Sequence, residues 1–436
     1  MNNYIKEIEL SEEQKALYDL MENTRNNMFI TGKAGTGKSY LLKYFKEHTK
    51  KNVLYTAPTG IAAINIGAVT IHSAFGFDNL KDGTKYFRLS LEKIDILRNL
   101  EVLIIDEISM VRVDVLEQVD KILQFYNRTN KPFGGKQVIV FGDIFQLPPI
   151  VKTREEQTCF FEKYGDVYFF NSNAYYNGNF EIKELRKIYR QTNRTFIDIL
   201  NNIREGFLPS EYENILNQHY VPKAPEGIVQ LVTKNQIREE INSKNLGKIN
   251  NKEYCYNAEI FYNPNLKYKS KVDPDQYMCD FKLKLKVGAH IMMISNDTKS
   301  KRWVNGTFGT ISELGNDYIK VIIDGNEYTV LKHEFKKYKC FYNKKEKKLI
   351  YIEETCVKQF PVILAYAVTI HKSQGMTYQE VVCNLEGCFA AGQAYVALSR
   401  CVSLDTLYLV HKVYQKDVFT NSSIMSFYNE QIKPAV

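Results

Sequence analysis

Residues Gly32-Lys33-Ala34-Gly35-Thr36-Gly37-Lys38-Ser39 form a complete G-x-x-x-x-G-K-S run. The apolar stretch Met28–Thr31 precedes it, and Tyr40-Leu41-Leu42 opens a helical pattern after it. A strand that breaks into a glycine-rich turn and then a helix aims several backbone N–H groups, and the positive end of the helix dipole, at one point. Phosphate oxygens fit there. Gly32, Gly35, Thr36 and Gly37 supply the cradle, the Lys38 ammonium reaches the β- and γ-phosphates, and the Ser39 hydroxyl is placed to ligate Mg²⁺. Average residue usage produces such a run by chance in on the order of one chain in a hundred. ATP and Mg²⁺ are therefore expected.

A hydrolytic nucleotide site also needs carboxylates. Val102-Leu103-Ile104-Ile105-Asp106-Glu107 is an apolar strand ending in two acids. Asp106 at the strand end is placed to hold the metal and Glu107 to polarise an attacking water. That pairing favours hydrolysis over transfer to a small acceptor.

Around these two segments the first 235 residues alternate strand-like and helix-like runs. The strand candidates are Met28–Thr31, Val53–Ala57, Val102–Asp106, Gln137–Phe141, Val167–Phe170 and Ile228–Thr233. Between them Val111–Phe125 carries Val115, Val119 and Ile122 on one helical face. Such alternation predicts an α/β fold with a parallel sheet covered on both sides. From about 255 to 355 short alternating runs are punctuated by Asn305-Gly306, Asp324-Gly325-Asn326 and Asn343-Lys344, the pattern of a small antiparallel sheet or barrel. The α/β character is expected to return with Val362–Ala367, Glu380–Asn384 and Thr406–His411.

Composition narrows the partners. The 436 residues are 44% hydrophobic and 25% charged, which excludes disorder and fibre. No apolar run approaches the roughly 18 residues of a membrane span, and residues 1–7 show no leader pattern, so a cytoplasmic or nucleoid place in a bacterium or phage is expected. None of the eight cysteines forms a C-x-x-C pair, which predicts reduced thiols packed as small hydrophobes. The net charge is +8, and residues 281–350 alone hold 15 Lys/Arg against 7 Asp/Glu, the same excess. A polyanionic partner fits this stretch, as does a solvated lysine face.

Further segments give the chain a family resemblance. Ala57-Pro58-Thr59-Gly60-Ile61-Ala62-Ala63, Thr70-Ile71-His72-Ser73-Ala74-Phe75 and Gly142-Asp143-Ile144-Phe145-Gln146-Leu147-Pro148-Pro149 are followed by Leu185-Arg186-Lys187-Ile188-Tyr189-Arg190-Gln191. Later come Ala365–Thr377, containing His371-Lys372-Ser373-Gln374-Gly375, and Gly392-Gln393-Ala394-Tyr395-Val396-Ala397-Leu398-Ser399-Arg400. In order, these closely resemble the helicase motifs of superfamily 1B. Glu107-Ile108-Ser109-Met110-Val111-Arg112 with Asp114 and Asp120 resembles the signature of the petite-integration-frequency (PIF) helicases, and RecD-like and Dda-like helicases are less similar there.

The resemblance implies a 5′→3′ DNA helicase acting in replication, repair, recombination or telomere-type maintenance. It implies two RecA-like P-loop domains, 1–184 and 185–436, with a small wedge insertion at about 77–92 and an SH3-like β-barrel insertion at about 305–360. Its implied partners are single-stranded DNA and single/double-strand junctions, with G-quadruplexes and RNA–DNA hybrids as further substrates. The core would be monomeric, with a DNA-induced dimer as an alternative.

Site roles carry over by position. Gln14 resembles the adenine-reading glutamine and Gln146 the residue coupling γ-phosphate to the DNA groove. Arg190 and Arg400 resemble two arginine fingers, and Gly375 falls in the nucleotide set. Pro58, Thr59, His72, Phe75, Pro148, His371 and Lys372 match strand-binding positions, where sequence-independent grip calls for phosphate donors and flat stacking partners. Two rivals stand beside this reading: a single-strand-binding module whose affinity ATP switches, and a P-loop kinase.

Overall fold

The computed structural model describes residues 9–77, 89–151, 153–266, 271–297 and 299–433. Its first unit is a parallel sheet of β1 (Met28–Gly32), β2 (Val53–Ala57), β3 (Val69–Thr70), β4 (Val102–Ile105), β5 (Gln137–Phe141) and β6 (Glu181–Leu185), in the order β3-β2-β4-β5-β1-β6. Every residue of β1, β2, β4 and β5 is buried. Helices cover both faces, so these strands read as continuous apolar runs without alternation. The register sets Ile105 opposite Val140 and Ile30 opposite Phe141. The residues that follow these three strands therefore emerge side by side at the carboxyl edge, where ligands of such sheets bind.

One expected strand is replaced by another. Val167–Phe170 makes a single bridge, Tyr168 to Arg112, and then a 3₁₀ turn at Phe169–Asn171. Aromatic packing governs this segment: Phe170 stacks on Phe427 with centroids 4.3 Å apart, and Phe169 meets Phe29 edge-on at 5.4 Å. The sixth strand is Glu181–Leu185, an edge strand with only Leu185 fully buried, whose three charges hide it from an apolar-run reading. The helix expected at Val111–Phe125 is present at Val113–Asn127. The stretch compared with a wedge, 77–92, lies mostly outside the described residues, and a helix follows at Leu91–Asn99.

The second parallel sheet has the order Ala367–Thr369, Gln230–Val232, Val381–Cys383, Leu407–Leu409. Between its first two strands in sequence lies antiparallel structure. Five strands, Asn326–Leu331, Tyr318–Ile323, Phe308–Leu314, His290–Met293 and Val362–Leu364, pair in that order. Val362–Leu364, expected in the second α/β sheet, instead completes this antiparallel one, whose first strand, His290–Met293, lies within the β-rich stretch expected from about 255. The Asp324-Gly325 turn has both residues at positive φ, 49° and 78°, the two-residue hairpin its sequence foretells.

The long hairpin His333–Asn343/Lys348–Gln359 reaches back to the first sheet. Along Val53–Tyr55 the outer edge of β2 has no strand partner, because β3 pairs only with Thr56 and Ala57. The buried Tyr351 hydroxyl fills that gap, accepting from Tyr55 N at 2.7 Å and donating to the Val53 carbonyl at 3.2 Å. Lys339–Glu92 and Lys344–Asp95 add exposed ion pairs that contribute little.

Seven of the 15 cations in 281–350 pair with carboxylates: Lys284, Arg302, Lys320, Lys332, Lys336, Lys339 and Lys344. Much of the local charge is thus spent on the protein's own acids. All eight cysteines are free, but Cys159 and Cys255 are exposed rather than packed. Among the described residues no helix is long and apolar enough to cross a membrane.

Tyr351→Phe leaves a buried N–H and a carbonyl unpaired at a cost of about 1–3 kcal/mol. The expected result is amide exchange at Tyr55 faster by roughly ten- to a hundredfold, read by hydrogen exchange. Unchanged exchange would show that the hairpin does not hold this edge.

Candidate active site

A cleft of about 450 Å³ opens at the carboxyl edge of the first sheet, with residues of both parallel-sheet units in its walls. Gly35, Thr36, Gly37, Lys38, Ser39, Asp106, Glu107, Gln146, Arg190, Gly375 and Arg400, all anticipated, line it together. Gln14 lies just outside: it is buried, caps the helix Glu12–Asn23 through Ser11, and donates from Nε2 to the Gly37 carbonyl at 3.4 Å. Gly32 ends β1, and its carbonyl accepts from Lys38 Nζ at 2.6 Å, with Lys33 accepting at 3.1 Å. Lys38 therefore holds the loop closed on itself, and burial lowers its pKa. A phosphate oxygen would offer the ammonium a charged partner instead.

The loop is also held from the other unit. Tyr189 N donates to the Gly35 carbonyl at 2.9 Å, and a Cβ at Gly35 would lie 2.6 Å from Arg190 Cβ. Only glycine lets the arginine segment come this close. Tyr189, half exposed, forms part of the cleft wall and escaped the sequence reading.

Two buried acids face this cationic loop. Burial, then the neighbouring Glu107 charge, push Asp106 up to about 7, and burial likewise raises Glu107 against the pull of Lys38. Glu107 sits at φ 50°, an unusual backbone position for a non-glycine residue that ends the strand abruptly. Gln374 Nε2 donates to Glu107 Oε2 at 3.0 Å and to Gln146 Oε1 at 3.3 Å. One amide from the second unit thus bridges two groups of the first. It stood inside a quoted motif, beside Gly375, but nothing in its spacing set it apart.

The arginines come from the second unit. Arg400 is buried and anchored on the Val396 carbonyl at 2.9 Å, the Met376 carbonyl at 3.3 Å and Ser399 Oγ at 3.0 Å. Arg190 Nη1 donates to the Ser399 carbonyl at 3.0 Å. Burial, then the charge of Arg400, push Arg190 down to about 9, and burial lowers Arg400 as well. Neither makes an ion pair among the described residues. Two desolvated cations facing a phosphate loop favour an anion between them.

Beneath the cleft runs a buried network. Ala34 N donates to Tyr395 Oη at 2.9 Å, Tyr395 donates to Asp143 Oδ2 at 3.2 Å, and Asp143 pairs with Arg204 at 3.0 Å. Burial alone would raise Asp143, but Arg204 and Lys38 hold it below the usual carboxylate range. The Arg204 guanidinium also lies 4.1 Å from the Phe145 ring centroid. Gly392, just before Tyr395, would place a Cβ 2.1 Å from the Phe145 carbonyl, so the two units touch backbone to backbone there. Tyr395 and Arg204 were not singled out from sequence, because their partners are 252 and 61 positions away.

The strand-binding positions divide. His72 is exposed, and Pro58, Thr59, Pro148, His371 and Lys372 are half-buried. The Thr59 hydroxyl caps the helix Gly60–Asn65. Phe75 is fully buried and stacks on Phe77 with centroids 6.0 Å apart, so it is a core residue rather than a stacking surface. Burial lowers the pKa of both His371 and Lys372, with Arg238 adding to the effect at Lys372. The turn Pro274–Gln276 packs over Gly60, beside Thr59.

This geometry gives distinct outcomes for two substitutions. Lys38→Ala should abolish ATP turnover while the circular dichroism of the fold is preserved. Glu107→Gln should retain ATP but hydrolyse it at most about a hundredth as fast, the scale of a lost general base. Wild-type turnover by the latter would refute the assigned base.

Comparison with known proteins agrees with these observations. The PIF1-like helicase family model matches residues 9–214. The ATP-dependent DNA helicase Pif1 of Bdellovibrio bacteriovorus is 33% identical over 433 residues, covering 98% of this chain and 93% of that protein. The crystal structure of Bacteroides sp Pif1 in complex with ADP-AlF4 matches with a TM-score of 0.86 at 36% identity, covering 97% of this chain and 96% of the other. Bacteroides Pif1 bound to single-stranded DNA matches over the same shares and at the same identity, but with a TM-score of 0.67. The arrangement seen here is thus nearer to that of the forms without a bound strand, unliganded Bacteroides sp Pif1 (TM-score 0.85) included, than to that of the strand-bound form. The α/β fold is that of two RecA-like domains, and the chain belongs to the PIF1-like helicase family.

Proposed function

We propose that this chain is an ATP-dependent DNA helicase that moves 5′→3′ on single-stranded DNA and separates the duplex ahead of it. The observation that carries the reading is the pair of arginines, half-buried Arg190 and buried Arg400, that line the cleft opposite the phosphate loop without an ion pair among the described residues. Charge that develops on a transferring phosphoryl group falls between Lys38 on one side and these guanidinium groups on the other. Glu107 orients and deprotonates the attacking water. Tyr189 and Gln14 flank the place of the adenine.

Ser39 and Asp106 are the groups to hold Mg²⁺, and two buried acids with raised pKa are a donor set that a cation suits. When bound, that ion neutralises phosphate charge.

Coupling to DNA follows from one turn. His371 and Lys372 are the strand contacts, while Gln374 and Gly375, two and three residues on, belong to the ATP side. A change at the γ-phosphate position alters Gln146, Gln374 and Glu107 together, and the same turn moves His371 and Lys372. Thr59, His72 and Pro148 hold the strand on the first domain. We take 1–184 and 185–436 as these two domains, the second carrying the antiparallel insertion. Single-stranded DNA and junctions are the primary ligands, and G-quadruplexes and RNA–DNA hybrids further substrates. An affinity switch without movement would need no finger from a second domain.

The test compares ATP-driven strand separation on duplexes with a 5′ or a 3′ single-stranded tail. Separation from the 5′ tail alone is expected. Separation from the 3′ tail alone would overturn the polarity, and ATP turnover stimulated by DNA without separation would leave the switch as the better reading.

A further inference from the structure

Phe389 is 59% exposed on the loop between the strand Val381–Cys383 and the helix Gln393–Leu398, yet that loop is built to keep it there. The fully buried Gln393 side chain accepts at Oε1 from Phe389 N at 3.1 Å and Ala390 N at 3.4 Å. Its Nε2 donates to the Thr233 carbonyl at 3.4 Å, and Thr233 Oγ1 donates to the Glu386 carbonyl at 3.0 Å. Both ends of the loop are therefore fixed to the second sheet. A flexible loop would let the ring fold onto apolar surface, whereas a fixed one holds it in water at a cost of the order of 1–2 kcal/mol in unburied area. Many large apolar side chains of this chain are exposed singly; what sets Phe389 apart is the buried hydrogen-bonded support that keeps its ring in the open.

Among the described residues the ring's aromatic neighbour is His371, at 6.3 Å between centroids and 17° between planes. One ammonium stands beside this loop: Lys234 Nζ lies 3.9 Å from where a Cβ on Gly387 would stand, while Lys372, next to His371 in the chain, lines a neighbouring pocket with Arg238 and Asp280. A flat apolar face on a loop with an ammonium beside it is an arrangement that takes a nucleobase and an adjoining phosphate without reading sequence.

We infer that Phe389, backed by His371, is a stacking platform for one base of the single strand on the second domain. The inference rests on the DNA-motor reading and deepens it by adding a base contact, where Phe75, buried in the first domain, supplies none. His371, itself a strand contact in that reading, also backs the Phe389 ring.

The test measures equilibrium binding of two oligonucleotides of equal length, oligo(dT) and an abasic deoxyribose-phosphate strand, to wild-type protein and to Phe389→Ala. Wild type should prefer oligo(dT). Phe389→Ala should lose roughly 5- to 100-fold on oligo(dT), the effect of removing one aromatic stack, with the abasic strand and the salt dependence unchanged. Phe389→Trp should restore the preference, and its exposed indole, unlike the buried Trp303, should be quenched by oligo(dT) and not by the abasic strand. Oligo(dT) binding by Phe389→Ala within twofold of wild type would overturn the platform alone. Equal losses on both strands would overturn it too, by showing a structural role. Wild-type protein that holds neither strand would overturn the motor reading and the platform together.

Discussion

A carboxylate and a guanidinium with almost no exposure, Asp143 and Arg204, meet where the first parallel sheet joins the second unit, and the nucleotide site is built on that contact. Leaving either charge alone in such a place costs about 3–5 kcal/mol, so the pair is a strong constraint on how the two units face each other. Its reach is extended by Tyr395, which gives its proton to Asp143 and takes the Ala34 N–H of the phosphate loop. Five residues after Tyr395 comes Arg400. The loop that holds phosphate and the segment that carries an arginine toward it are therefore fixed to the same buried carboxylate.

Above this buried network the charges of the cleft are unbalanced. Burial and then the Glu107 charge push Asp106 up, and burial pushes Glu107 up; burial and then the Arg400 charge push Arg190 down, and burial pushes Arg400 down. Acids lie on the strand side and cations on the loop and finger sides, with no direct ion pair between them among the described residues. In the proposed function, nucleotide with a metal ion would supply what both groups lack. Gln374 touches Glu107 and Gln146 at once, and in the proposed function it links that occupancy to the turn carrying His371 and Lys372. Chemistry and strand grip are adjacent in the chain, which keeps the linkage short.

What the sequence made legible was local. The phosphate loop, the acid-ended strand and the Asp-Gly hairpin each depend on neighbours within a few residues, and each appears where its pattern placed it. The edge strand Glu181–Leu185 was hidden because half-burial lets charges stand where apolar residues were sought. Val167–Phe170 misled for the opposite reason: its apolar character serves ring packing against Phe427 of the C-terminal helix. Phe75 matched a strand-binding position, but burial is set by tertiary packing that no spacing reveals. Gln374, Tyr395 and Arg204 act across domains, and the Tyr351 clasp joins residues nearly 300 positions apart. Those contacts carry no periodic trace.

The central claim is that hydrolysis needs charge from both domains at one phosphate group. The most direct measurement pairs nucleotide affinity with DNA-stimulated ATP turnover in Arg190→Ala, whose side chain crosses the cleft while helping little to fill the core. Affinity within about tenfold of wild type together with turnover lowered by roughly 10³ or more is the predicted outcome, as for an arginine that acts mainly in the transition state. Turnover within about threefold of wild type would contradict it, placing the whole of the chemistry on the first domain.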